Sequence, residues 1–267
     1  MDLDTLITYL HQHEIHLHTV ADELRIQAPP GRMTPDLQAQ IRQHKAALLR
    51  YYRPLKMKFS LFFFGVEAGQ AAHRTYDLVL EAARFADQHG FSALWFPERH
   101  FHPLGAPFPN PAVLAAAVAP QTRRIKLRAG SVVLPLQDPV RVAESWAMVD
   151  QLSRGRVELS FASGWHARDF ALASDSAADY ARRHDLMLER VDTVTALWQG
   201  QALTRQDGNG KACEVTTYPR PYQEQLPVWL TALGNPAAFQ RTAERGHHLL
   251  TALLDQDISE LKHKLAA

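Results

Sequence analysis

Three stretches of the sequence carry side chains whose types and spacing suit chemistry. In "PERHFH", Glu98, His100 and His102 alternate, so they would share one face if an extended strand ran through them. Alternating carboxylate and imidazole groups can ligate a metal, or they can line a cofactor or substrate pocket and move protons. A surface loop with ordinary histidines is the bland alternative. The metal reading wants a further ligand, for which His166 and the pair His247-His248 are isolated candidates. In "TALGNPAAF", Gly234 lets the backbone turn closely, Asn235 can cap a helix and Pro236 fits its first position. The freed N–H groups and the helix dipole suit an anion such as a phosphate, although a well-capped helix needs no ligand. In "FASGWH", small Ala162, Ser163 and Gly164 precede Trp165. Small residues let a flat ring approach the backbone, and the indole can wall it.

All three stretches follow candidate strands in a body that starts near residue 57. The apolar runs "KFSLFFF", "FSALWF", "IKLRAGSVVLPL", "GRVELSFASG", "PVWLTALG" and "HHLLTALL" alternate with helical patterns. A helix is expected over about 74–89 with Leu78, Ala82, Phe85 and Ala86 on its apolar side. Others are expected in "NPAVLAAAVAP" from an Asn110 cap, in "PVRVAESWAMVDQLS", over about 176–199, from Pro236 to about Arg245, and in "DISELKHKLAA". Residues 201–226 read as an excursion.

Buried strands separated by helices imply a parallel sheet. Repeated units of this kind without a dinucleotide fingerprint favour an α/β barrel of the (β/α)8 TIM type over a doubly wound sheet. A complete barrel takes about 250 residues, so the body is expected to be an incomplete barrel lacking about two units, a fragment of something longer. Working residues in such a barrel stand at the carboxyl ends of strands, where the three stretches fall.

The first 53 residues or so follow another pattern. Leu3, Leu6, Ile7 and Leu10 make one helical stripe. "IHLHTV" and "ELRIQAP" then alternate, with Ile15, Leu17, Leu24 and Ile26 on one side and His16, His18, Arg25 and Gln27 on the other; "ADE" would join them as a hairpin. After "PPGRM", Thr34, Pro35 and Asp36 start a helix with a hydroxyl cap, a proline and a carboxylate at the positive end of the dipole. Leu37, Ile41 and Leu48 continue its apolar face. So short a segment buries little core, and a lone hairpin leaves an open edge. Both facts suggest dimerisation or strand addition by a partner peptide.

Composition narrows the class. With 46% hydrophobic and 21% charged residues the chain reads as an ordinary globular protein, and a net charge of +1 gives no reason to expect nucleic acid. Cys213 is the only cysteine, so no internal disulfide forms and a reducing compartment fits. The acidic "MDLDTLITYL" start is no signal peptide, and "FSLFFFG" is too short to span a bilayer. A cytoplasmic location without membrane contact is the expectation.

Two resemblances organise these readings. "LITYLHQHEIHLHTVADELRIQAPPGRMTPDLQAQIRQHKAALL" closely resembles the TubC-type N-terminal docking domain of non-ribosomal peptide synthetase subunits. That implies a small homodimer whose exposed hairpin binds the C-terminal segment of an upstream synthetase subunit. "LWFPERHF", "GSVVLPLQDPVRVAESWAMVDQLSRGRVELSFASGW" and "VWLTALGNPAAF" resemble the bacterial luciferase-like, flavin-dependent monooxygenases, over most of 57–267. The resemblance leans toward the subgroup embedded in polyketide and non-ribosomal peptide assembly lines. It implies reduced FMN, O2 as co-substrate, a separate flavin reductase, and hydroxylation of a carrier-protein-bound intermediate.

Carried over by motif, Ser131 and Val132 would lie beneath the flavin ring, and Ala162, Ser163, Gly164 and Trp165 near the ring or its ribityl chain. Thr231, Gly234 and Asn235 would serve the phosphate. His100, with Glu98 behind it, would handle a proton or hold the peroxide. Two alternatives stand beside this: a docking protein without activity in this form, and a metal-dependent barrel hydrolase built on Glu98, His100 and His102.

Overall fold

The computed structural model describes residues 1–20, 23–52, 57–65, 72–102, 107–254 and 256–266. Internal packing divides the chain into Met1–Met57 and Lys58–Ala267.

The first unit opens with α1 (Leu3–Gln12), capped by Asp2, whose carboxylate accepts from the Thr5 N–H at 2.8 Å. Strands β1 (His16–Val20) and β2 (Glu23–Gln27) pair antiparallel, Leu17 opposite Ile26 and His18 opposite Arg25. Ala21 and Asp22, the start of the "ADE" link, lie outside the described residues. Helix α2 (Pro35–Gln43) starts at Thr34, whose hydroxyl accepts from the Leu37 N–H, and α3 (Lys45–Tyr51) follows. Leu6, Leu10, Ile15, Leu17, Leu37, Ile41 and Leu48 form the core. Ile26 stands on the expected side but is 43% exposed, because it borders a groove of about 410 Å³ lined also by Ala28, Met33, Gln38, Ile41 and Arg42.

In the second unit strands and helices alternate: β3 (Ser60–Phe62), α4 (Ala72–Gln88), β4 (Ala93–Phe96), α5 (Pro111–Val118), β5 (Lys126–Val133), α6 (Pro139–Ser153) and β6 (Val157–Ala162). Then come α7 (Ser176–Ala181), α8 (Arg183–Trp198), a hairpin of β7 (Leu203–Gln206) and β8 (Ala212–Val215), then β9 (Val228–Thr231), α9 (Pro236–Glu244), β10 (His248–Leu250) and α10 (Ile258–Ala266). A parallel sheet runs in the order β10-β9-β6-β5-β4-β3. Neighbours in space are neighbours among the sheet strands in sequence, as in the wall of a barrel.

The two faces of this sheet differ. Leu94, Phe96, Leu127, Ala129, Leu159, Phe161, Val228 and Leu230 face the main core together with Val79, Val142, Trp146, Val191 and Trp198 from α4, α6 and α8. The alternate positions carry polar and aromatic groups. Arg128 sits between the rings of Trp95 and Trp229, 4.7 and 4.4 Å from their centroids, and pairs with Glu158 at 2.8 Å. Both indoles are satisfied, Trp95 donating to Ser60 and Trp229 to Glu158, each at 3.1 Å. A charged pair survives at low exposure there because it is hydrogen-bonded as well as neutralised.

Three expectations need correction. Helix α4 buries Thr75, Val79, Ala83 and Ala86, whereas Leu78 and Phe85 are 61% and 52% exposed; the side that joins the main core is the one carrying Val79, Ala83 and Ala86. The 176–199 segment is two helices divided at Arg182, which ends α7 and starts α8. Residues 201–226 contain the antiparallel β7–β8 hairpin, whose turn is tied by Asp207 Oδ1 accepting from the N–H groups of Asn209 and Lys211 at 2.8 and 3.0 Å. Among the described residues no helix is long and apolar enough to cross a membrane.

Candidate functional site

Because β3, β4, β5, β6, β9 and β10 run parallel in one sheet, their carboxyl ends share one edge. That edge gathers the loops carrying Glu98 to His102, Gln137, Ser163 to His166 and Gly234.

Strand β4 stops at Phe96, since Pro97 has no N–H to extend the ladder. Glu98, His100 and His102 therefore lie on a loop and do not share a strand face. Glu98 turns inward and is 2% exposed. Its Oε2 accepts from the Val133 N–H at 2.9 Å, at the end of β5. Its Oε1 accepts from Gln137 Nε2 at 2.8 Å and faces His100 Nε2 at 2.9 Å. A carboxylate can only accept, so the last contact puts a proton on Nε2 of His100 and, in the neutral ring, leaves Nδ1 as the acceptor. His102 is placed elsewhere, its ring 6.1 Å from that of His166. Among the described residues no set of three His, Cys, Asp or Glu is arranged to hold an ion.

The sequence did not point to Gln137. It follows a short 3-10 turn, Leu134–Leu136, after β5. The turn is clamped by Arg190 of α8, whose Nη1 donates to the carbonyls of Leu134, Pro135 and Gln137 at 3.2, 2.9 and 2.9 Å.

A second cluster joins β5, β6 and β9. Ser131 Oγ lies 2.5 Å from Thr231 Oγ1 and 3.2 Å from Ser160 Oγ, and Ser160 Oγ lies 2.9 Å from Thr231 Oγ1. Ser131 and Thr231, expected at opposite ends of a cofactor, thus occupy one place, and fully buried Ser160 completes a triangle the sequence gave no sign of. In β5 the Gly130–Ser131 peptide is cis and the pairing with β6 shifts register between Gly130 and Val132. Val132 is 1% exposed within the main core, so its side chain is spent there.

Ala162 ends β6, paired with Val133. Ser163 and Gly164 are half-buried and Trp165 is 75% exposed. Gly164 has φ +79°, and a Cβ there would lie 2.9 Å from Val133 Cγ1 and 3.0 Å from the Phe170 ring. Gly234 differs: nothing lies within 4 Å of where its Cβ would be. Beside it, Asn235 caps α9, its Oδ1 accepting from the Ala237 N–H at 3.0 Å. Arg99, over the Phe64 ring at 5.3 Å, is held below the usual guanidinium range by burial, against the opposing charges of Asp169 and Glu98.

Comparison with known proteins agrees with both patterns. Residues 57–266 match the family described as luciferase-like monooxygenase, and residues 3–53 match the TubC N-terminal docking domain. The oxygenase component of the flavin-dependent trigonelline monooxygenase of Acinetobacter baylyi is 27% identical over 214 residues, covering 77% of this chain and 58% of that protein. The crystal structure of monooxygenase RslO1 from Streptomyces bottropensis superposes with a TM-score of 0.69 at 26% identity, covering 79% of this chain and 64% of the other. The oxygenating constituent of 3,6-diketocamphane monooxygenase from Pseudomonas putida, solved with FMN, shares the fold at 20% identity and a TM-score of 0.63, covering 73% of this chain and 57% of the other. The chain thus spans about three fifths of the length of these relatives.

Proposed function

The chain belongs to the luciferase-like monooxygenase family, and from that premise we propose that it is an FMN-dependent monooxygenase that hydroxylates an intermediate carried on an assembly-line carrier protein. The observation that carries the reading is the shared edge: the small residues after β6 and the open N-terminus of α9 stand at the carboxyl ends of one parallel sheet, and the hydroxyl triangle lies in the strands just before them. Their chemistry fits the cofactor. Hydroxyls of Ser131, Thr231 and Ser160 form a polar floor, Ala162, Ser163 and Gly164 let a flat ring come close, and Trp165 can wall it. The unfilled space at Gly234 and the α9 dipole suit a phosphate. Reduced FMN, when bound, supplies the two electrons that let O2 deliver one oxygen atom to the substrate and the other to water.

The chain's own residues bind, orient and manage protons. His100, backed by Glu98, takes or gives a proton at Nδ1. The apolar wall of the core keeps water from the far side of the sheet. A separate cytoplasmic reductase supplies reduced flavin. The head docks the protein onto an upstream synthetase subunit: residues 3–53 match a docking domain, the outer side of β2 is largely exposed, and Ile26 borders an apolar groove with Arg42 at its rim. An extended C-terminal segment would add to this strand, with the head as a homodimer.

Titrating the 267-residue chain with FMN and following flavin fluorescence tests the cofactor reading, and oxygen uptake with an added reductase tests the reaction. Saturable quenching at micromolar flavin is expected. An unperturbed spectrum would sink the proposal.

A further inference from the structure

We propose that Gln137 and Glu98 together form a tautomer lock on His100, with Gln137 as a positioning residue that decides which imidazole nitrogen can take a proton. The inference deepens the proposed function and rests on its use of His100.

The argument starts from the acceptor. Glu98 is 2% exposed yet has three donors: Val133 N–H on Oε2, and Gln137 and His100 on Oε1, all within 2.9 Å. A buried carboxylate stays ionised only while such donors compensate its lost hydration. Two of the three are fixed from outside. Val133 donates from the backbone at the end of β5, and Gln137 sits on the turn whose carbonyls Arg190 collects. Those two stabilise the carboxylate, so the shared proton stays on His100 Nε2 and Nδ1 remains open. Without Gln137 the carboxylate has one donor fewer, and an arrangement holding one more proton, taken from solvent, gains population: a protonated Glu98 donates to Nε2, and His100 carries its own proton on Nδ1.

Substituting the carboxylate gives a sharper result. In Glu98→Gln the Val133 N–H cannot be turned around, so the amide oxygen must stay with it. The amide NH2 then faces His100, and Nε2 must accept. Gln137 can rotate its own amide to present an oxygen. The lock therefore reverses without loss of shape.

The test is nitrogen-15 NMR of the histidine-labelled, flavin-free chain, with the His100 signal assigned by its loss in His100→Ala, alongside thermal unfolding of every variant. The wild type is expected to carry the proton on Nε2, Glu98→Gln on Nδ1, and Gln137→Leu on a mixture of the two. A wild type protonated on Nδ1, or a Glu98→Gln variant that keeps the proton on Nε2, overturns the lock. A Gln137→Leu variant that melts like the wild type and keeps one tautomer removes Gln137 from it. Should Gln137→Leu fail to fold, Glu98→Gln decides alone. The readout needs no flavin, so failure to bind FMN overturns the proposed function while leaving the tautomer result to stand by itself.

Discussion

Glycine-to-alanine changes at Gly164 and Gly234 should produce opposite signatures, although both glycines follow a strand at the same edge. At Gly164 the backbone is left-handed, φ +79°, which costs an L-residue about 1–2 kcal/mol. The new methyl would also stand 2.9 Å from Val133 Cγ1 and 3.0 Å from the Phe170 ring, and Phe170 is 1% exposed. Overpacking of that kind costs about 1–3 kcal/mol. The sum, about 2–5 kcal/mol, is a large share of the ~5–15 kcal/mol that holds a domain together. Gly234→Ala meets neither penalty, since the site is open and its φ is not left-handed, so stability should change by less than about 0.5 kcal/mol. There the methyl fills the space a phosphate would use. Losing one charge-assisted hydrogen bond of about 1.5–3 kcal/mol weakens FMN binding by roughly ten- to hundredfold. Urea unfolding and flavin fluorescence on both variants read the two effects separately. The reasoning fails if Gly164→Ala unfolds at the wild-type midpoint, and the phosphate assignment fails if Gly234→Ala binds FMN as tightly as the parent.

Other outcomes follow from the surroundings of single residues. Arg128→Leu leaves Glu158, which is 8% exposed, with only Trp229 and the longer Lys126 contact at 3.8 Å, and should cost about 1–3 kcal/mol; Arg128→Met with Glu158→Leu should recover most of it, and equal losses in the single and double variants would argue against the pairing. His247 is held below its usual value of 6.5 chiefly by burial, with Arg245 adding to the effect. The unfolded chain then binds its proton first, so stability present above about pH 6.5 falls as the pH drops toward the lowered folded value; His247→Gln should flatten that limb in a pH series of thermal melts. Ile26→Glu should leave unfolding of the chain unchanged and abolish capture of the upstream subunit's C-terminal peptide, and undiminished capture would place the docking surface elsewhere.

Local signals were legible wherever a cap and a proline coincide. Asn110 with Pro111 and Asn235 with Pro236 mark helix starts that the structure reproduces to the residue. Strand order was legible because each apolar run is followed by a helix that returns the chain in parallel. Helix α4 shows where hydrophobicity misleads: the large residues Leu78 and Phe85 lie outside, while Val79, Ala83 and Ala86 take the core side. The β7–β8 hairpin has only half-buried alternation in "LTRQ" and "ACEV", too weak to outweigh the polar residues around it. Gln137 and Ser160 were invisible for another reason. Nothing in a neutral amide or a mid-strand hydroxyl announces its partner until β4, β5, β6 and β9 lie side by side.

The β7–β8 hairpin, within the segment that reads as an excursion in the sequence, is moored beside the turn that carries Gln137. Arg205 donates at 3.0 Å to Asp138, which sits one residue past Gln137 and also caps α6. The side chains of this ion pair are 41% and 45% exposed, and contacts so wet are worth at most about 1 kcal/mol. A pull on the hairpin can thus bias the Leu134–Gln137 turn by no more than about fivefold. It is a mooring that slips before it drags its anchor.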